Sequence, residues 1–309
     1  MEGAPTRLAV LSPTEADGGE WSVRLDPEVL LPSRDAHLAV TFTPHKELNA
    51  RAVRARLTGT ERYRYRRSES TGGSGTRTVE HTGTEEVGRL EAVLAGPGRL
   101  AGGQPLSWEW TFHVPDLGPA SFEGEVLRCD WEITVSVDVP MALDPSLRLP
   151  VHLAQPTALL QAGVIDAGAY ALFEEAPINV DAHPAQLKLE PVPLCIEQQF
   201  RGVVTLETPE PVPVQEVRLE LRVHAKVTVS GGEEEEILVS RGHLEADGDA
   251  FGGPLASHAF TADPPGLWVP TVDLPHGHAR AVFHVILARA WARDVHYVRD
   301  VALCTTTEL

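Results

Sequence analysis

Two runs of strict alternation constrain what this chain can fold into. Trp108, Trp110, Phe112 and Val114 occupy every second place of one run, and Trp131, Ile133, Val135, Val137 and Val139 of the other. A period of two puts such side chains on one buried face of a strand, with polar neighbours on the wet face. The runs break at Pro115, Pro119 and Pro140, where a missing amide donor costs the ladder little. Strands of this kind, joined by a crossing rich in proline and glycine, make a unit of a β-sandwich.

The same alternation recurs along the chain. Residues 7–12 read as a short strand, and a turn at Gly18-Gly19 leads into the next. Ala36 to Thr43 alternates, and Val53, Ala55 and Leu57 stand against Arg54 and Arg56. Ser68 to Thr84 is polar and glycine-rich and predicts a mobile hairpin tip. Beyond Pro156 the pattern changes, because Thr157 to Phe173 is rich in Ala and Leu without alternation. Strands resume at Gln186–Glu190, Phe200–Leu206 and Gln215–Ser230, and Gly231-Gly232 before Glu233–Glu236 marks another hairpin tip.

At 309 residues the chain exceeds one ordinary sandwich, and 42% hydrophobic content suffices for two cores. The halves also echo each other. Residues 39–42 match 203–206, 53–57 match 217–221, 131–137 match 283–289, and 147–153 match 296–303. The expected organisation is an all-β tandem of two immunoglobulin-like antiparallel sandwiches: a first domain at 1–155, a linker at 156–185 with room for a short helix, and a second domain at 186–309.

A net charge of −18 argues against nucleic acid as the main partner, since neutralising phosphates needs a basic surface. The amino terminus shows no apolar core of a signal peptide, and no apolar run reaches the roughly 20 residues of a membrane span. Cys129, Cys195 and Cys304 are odd in number and far apart, which predicts a reduced, cytoplasmic chain without a disulfide framework. Only Lys46, Lys188 and Lys226 among 26 basic residues are lysines, a bias that fits a GC-rich bacterial genome.

The residues resemble a known family. V-R-A-R-L-T-G-T-E-R-Y-R-Y (53–65), L-x-x-G-x-P-L-x-W-x-W-T-F-H-V-P (100–115), G-P-A-S-F-E-G (118–124) and the strand from Trp131 are together similar to the amino-terminal arrestin domain. F-x-x-D-P-P-G-L-W-V-P-T (260–271) resembles part of the carboxy-terminal one. The resemblance takes in bacterial sporulation-control proteins and the retromer cargo-adaptor subunit, and it implies a non-enzymatic adaptor. The chain departs from receptor arrestins at His152, which stands where their ion-pair switch places an arginine, and it contains no Pro-Pro-x-Tyr motif.

Candidate chemistry is sparse. His276-Gly277-His278 offers two imidazoles but no adjacent cysteine pair, and reads as a surface turn rather than a metal site. Glu245 to Asp249 has the acids of a calcium loop without the regular spacing or the closing glutamate. No metal, cofactor or catalytic residue is expected. The concentrated feature is cationic: Arg62, Arg64, Arg66 and Arg67, with Arg62, Arg64 and Arg66 on one strand face and Tyr63 and Tyr65 on the other. One reading is a solvated face paired with acids such as Glu85 and Glu86 across the hairpin. The other is a binding site for an acidic or phosphorylated protein, because guanidinium forks suit carboxylate and phosphate. The expected function is thus a protein-binding adaptor using strand edges, hairpin tips or a concave face. The alternative is a small-ligand- or metal-binding sandwich, or an enzyme of unrecognised type, in which His276 and His278 take part.

Overall fold

The computed structural model describes residues 9–16, 18–70, 76–114, 118–155, 170–174, 185–207, 214–244, 255–289 and 293–305. Every regular element among them is a strand. The first half contributes β1 (Ala9–Ala16), β2 (Gly19–Asp26), β3 (Val29–Leu30), β4 (Asp35–Pro44), β5 (Leu48–Ala50), β6 (Ala52–Ser70), β7 (Thr76–Ala95), β8 (Gly98–Leu100), β9 (Leu106–His113), β10 (Phe122–Glu123), β11 (Leu127–Asp138) and β12 (Ser146–Leu153). They form one sheet in the order β1-β2-β4-β9 and another in the order β3-β12-β11-β6-β7, with β10 beside β11. A short pair, β5-β8, stands apart.

The second half contributes β13 (Tyr170–Glu174), β14 (Ala185–Glu190), β15 (Leu194–Cys195), β16 (Phe200–Glu207), β17 (Val214–Val227), β18 (Glu234–Leu244), β19 (Leu255–Ala262), β20 (Val272–Leu274), β21 (Gly277–Arg289), β22 (Val295–Val301) and β23 (Leu303–Cys304). Their order is β17-β18-β19-β16-β14-β13-β22-β21-β20, and the path closes on itself through β17–β21. Closure removes free edges along most of the path.

The sequence echoes occupy equivalent places in the two halves. β6 lies between β11 and β7, as β17 lies between β21 and β18. β4 lies between β2 and β9, as β16 lies between β14 and β19. Two parallel contacts correspond as well: β3 pairs with the end of β12 at Val29–His152 and Leu30–Leu153, and β15 pairs with β23 at Leu194–Leu303 and Cys195–Cys304. The duplication is therefore one of topology as well as of alternating pattern.

Each half has its own aromatic centre. In the first, Trp21 and Phe42 stack at 4.2 Å on neighbouring strands and are fully buried. Trp131 is also buried, and its indole Nε1 donates to the Pro119 carbonyl at 2.9 Å. Three glycines face that indole. A Cβ added at Gly59, Gly88 or Gly118 would lie 2.7, 2.6 or 2.5 Å from its ring atoms. In the second half Phe283 meets Phe200 at 6.3 Å and Phe260 at 5.5 Å, all three buried. Fully burying each such side chain is worth about 1.5–3 kcal/mol.

One sequence expectation needs correction, and another falls mostly outside the described residues. The segment given room for a helix, 157–173, ends in strand: Tyr170–Glu174 pairs with both β14 and β22. Strand pairing on both sides satisfies the backbone of these five residues. The rest of that segment lies outside the described residues. The polar run 68–84 is also mostly strand, since β6 continues to Ser70 and β7 starts at Thr76, leaving only 71–75 outside the described residues. Arg77, Thr78 and Glu80 are exposed there, so backbone pairing rather than apolar burial holds the ribbon.

The chain packs as two compact units: Met1–Arg62 with Gly83–Ser121 and Arg128–Ala154, and Tyr63–Thr82 with Phe122–Leu127 and Gln155–Leu309. The partition differs from a simple division at 156–185 by two segments, 63–82 and 122–127. We expect Gly88→Ala to destabilise the protein by about 1–3 kcal/mol in urea unfolding, through overpacking against Trp131. Gly96→Ala, where a Cβ meets nothing within 4 Å, should change stability by less than about 0.5 kcal/mol.

Candidate functional site

The arginine-rich stretch lies on β6, and the structure divides its members. Arg62 reaches Asp130 at 3.7 Å within the first unit. Arg64, Arg66 and Arg67 belong to the second, where the far part of β6 meets the turn between β17 and β18. Backbone bonds fix that meeting. Arg66 N donates to the Gly231 carbonyl at 2.7 Å, Glu233 N donates to the Arg64 carbonyl at 3.2 Å, and Tyr65 and Gly232 form an antiparallel bridge. The turn requires glycine at 231, because its φ is 75° and a side chain there would strike the Arg66 carbonyl.

Glu233 is the acid of this junction. Its side chain is 13% exposed and meets Arg66 Nε at 2.7 Å and Arg64 Nε at 3.8 Å. Arg64 also has Glu80 at 3.5 Å and Glu125 at 3.7 Å. Glu235, two residues on, accepts backbone N–H bonds from Glu125 at 3.0 Å and Val126 at 3.1 Å. Partners for these arginines were anticipated at Glu85 and Glu86. The acids that meet Arg62, Arg64 and Arg66 are instead Asp130, Glu80, Glu125 and Glu233, three of them brought in by other loops and strands. Arg67 is exposed and has no carboxylate within 4.0 Å among the described residues.

The tyrosines face aromatic neighbours. Tyr63 stacks on His276 at 4.2 Å and Tyr65 on His81 at 5.4 Å. Between these side chains and the β17–β18 turn lies an open cleft of about 550 Å³. Tyr63, Tyr65, Arg66, Arg67, Val229 and Ser230 line it. Two guanidinium groups beside phenol rings at a cleft can hold an anion by forked hydrogen bonds while the rings pack its apolar part.

Residues 39–158 match the family model of the arrestin (or S-antigen) N-terminal domain. This part of the chain is arrestin-like. No curated protein sequence matches the chain. The arrestin-like segment takes in β4 to β12, hence the Trp131 slot, the turn at 118–124 and all four arginines. His152 lies on β12 within the matched segment, in register with Val29.

The remaining candidates are dispersed. His276 is engaged with Tyr63, while His278 lies across from Lys226 and Asp273, its pKa held down by burial and then by Arg280. Glu245 to Asp249 lies outside the described residues. Three side chains that the sequence did not single out, His224, Glu236 and His284, come together on β17, β18 and β21. Their spacing in sequence carries no signal, because strand pairing alone makes them neighbours.

All three cysteines are buried thiols outside any disulfide. Cys129 is pushed up to about 12 by burial, with Asp130 and Glu61 adding to the effect, so it stays a thiol at neutral pH and is no nucleophile. Cys195 and Cys304 are distant in sequence but adjacent across β15–β23, and hydrogen bonding from Cys304 is the largest cause holding Cys195 down at about 7.

Glu235→Ala leaves two backbone donors without their acceptor and should cost about 1–3 kcal/mol in urea unfolding. The Cys129 thiol is raised from 9.0 to about 12, so its contribution to stability is complete below pH 9 and is lost as pH rises toward 12. Between those limits the unfolding midpoint of the wild type should fall more steeply than that of Cys129→Ala, and parallel curves would contradict this.

Proposed function

We propose that this chain is a non-enzymatic, cytoplasmic adaptor of the arrestin-like superfamily that binds an acidic or phosphorylated protein at the cleft beside Arg66 and Arg67. Its second half, 186–309, acts as a second sandwich of the same kind. The observation that carries the reading is the state of Arg67: exposed, lining an open cleft next to Arg66, and unopposed by any carboxylate among the described residues. Arg62 and Arg64, and Arg66 through its Nε, are paired with acids of the protein itself, so Arg67 carries most of the contact and Arg66 offers its remaining N–H groups. The family matched by 39–158 supports an adaptor role, and its fold is generally non-enzymatic. The charge of −18 makes a local cationic cleft selective, because acids elsewhere on the surface repel an acidic partner from wrong sites.

The decisive experiment is affinity purification from native cells, followed by binding measurements with the recovered protein. Arg66→Ser/Arg67→Ser should weaken binding at least tenfold, since a charge-assisted bond is worth about 1.5–3 kcal/mol, and rising salt should weaken wild-type binding. Arg62→Ser should bind nearly as wild type. Unchanged affinity in the double variant at low salt would refute the assignment.

A further inference from the structure

We propose that His224, Glu236 and His284 form a site for a divalent first-row metal ion, zinc by preference, that ties together β17, β18 and β21. His224 and Glu236 are directly opposite across the β17–β18 ladder, and β21 supplies His284 from the other side of β17. His224 Nε2 lies 3.4 Å from His284 Nε2 and 3.3 Å from Glu236 Oε2, and the three candidate ligand atoms are all within 4.8 Å of one another. Ligand atoms held tetrahedrally at zinc–nitrogen and zinc–oxygen distances of about 2.0–2.1 Å are separated from one another by about 3.3 Å. The two closest separations have the spacing of a zinc coordination edge.

The chemistry of the central nitrogen points the same way. His224 Nε2 faces both an imidazole nitrogen and a carboxylate oxygen, and it carries at most one proton with which to satisfy them. A cation between the three atoms uses every facing lone pair at once. The imidazole rings lie nearly parallel, at 13°, with centroids 5.6 Å apart, so both present edges rather than faces to the shared centre.

The surroundings orient the ligands. His284 is 2% exposed, which fixes its ring. Arg222 bonds Glu236 through Oε1, which leaves Oε2 turned toward His224. Arg222 is anchored in turn by the buried Glu220, at 2.8 Å from its Nε. Such outer partners commonly fix ligating carboxylates. His224 and Glu236 line a cleft of about 440 Å³ together with Glu234, Glu235 and Asp300, whose charges offset Arg222, Lys226 and Arg280. Two imidazoles and one carboxylate match borderline ions such as zinc, and water from the cleft completes the shell. The proposal is independent of the partner-binding reading, which concerns a different cleft and other residues.

The test uses the full chain purified without a histidine tag and stripped with chelator. Zinc titrated by calorimetry should bind at one equivalent, and Tm should rise with free zinc, as ligand linkage requires. Cobalt in place of zinc should produce the visible absorption of a tetrahedral site. His224→Ala and Glu236→Ala remove side chains that are 40% and 42% exposed, so both should fold, as circular dichroism would verify. Each should lose at least about tenfold in zinc affinity. His276→Ala should bind as wild type. No saturable binding in the wild type, unchanged affinity in both ligand variants, or an equal loss in His276→Ala would overturn the proposal.

Discussion

The contact on which the first unit depends is the fit of the Trp131 indole against three glycines. Gly59 comes from β6, Gly88 from β7 and Gly118 from the turn before β10, and each lacks a side chain where the ring passes. Close packing in an interior leaves no slack for an extra methyl group at such a place. The indole N–H, which would be costly to bury unpaired, is answered by the Pro119 carbonyl. One side chain therefore aligns two neighbouring strands and the proline-rich turn. The turn bears the family-like residues because it must close over that ring.

Charge is distributed by a different logic. The protein carries −18, yet its arginines are gathered on a few strands and most are met by acids from elsewhere in the fold. At Glu233 and Glu235 two acids two residues apart do unlike work: one balances guanidinium groups, the other caps backbone amides. Exposed ion pairs contribute little singly, roughly 0–1 kcal/mol. The backbone bonds around Gly231 and Glu233 are what hold the junction, and the charges decide which side chains stay available at the surface.

Much of the fold was legible in the sequence because burial follows alternation. Trp131, Ile133, Val135 and Val137 all point inward, and the echoes at 53–57, 131–137 and 147–153 proved to mark equivalent strands. Legibility failed where pairing rather than burial dictates structure. The ribbon of 68–84 has no apolar stripe, so its polar residues looked like a loop, while its backbone is satisfied across strands. The site was legible only in part. Four arginines on one stretch can be counted, but that Arg64 and Arg66 share Glu233, from a turn some 170 residues away, follows from topology alone. The convergence of His224, Glu236 and His284 was invisible for the same reason, as was the adjacency of Cys195 and Cys304.

The partition of β6 has a practical meaning for anyone who wishes to cut this molecule. Its residues up to Arg62 pack in the first unit, and from Tyr63 onward they pack with the second. A gene fragment that stops near residue 155 would carry away the ribbon of 63–82 and the segment 122–127 from the unit they help to build. What remained would expose the β17–β18 turn, with Glu233 and Glu235 stripped of their cations and amides. Dissection at the midpoint would thus leave the first unit whole but divide the second, which draws on residues from Tyr63 onward.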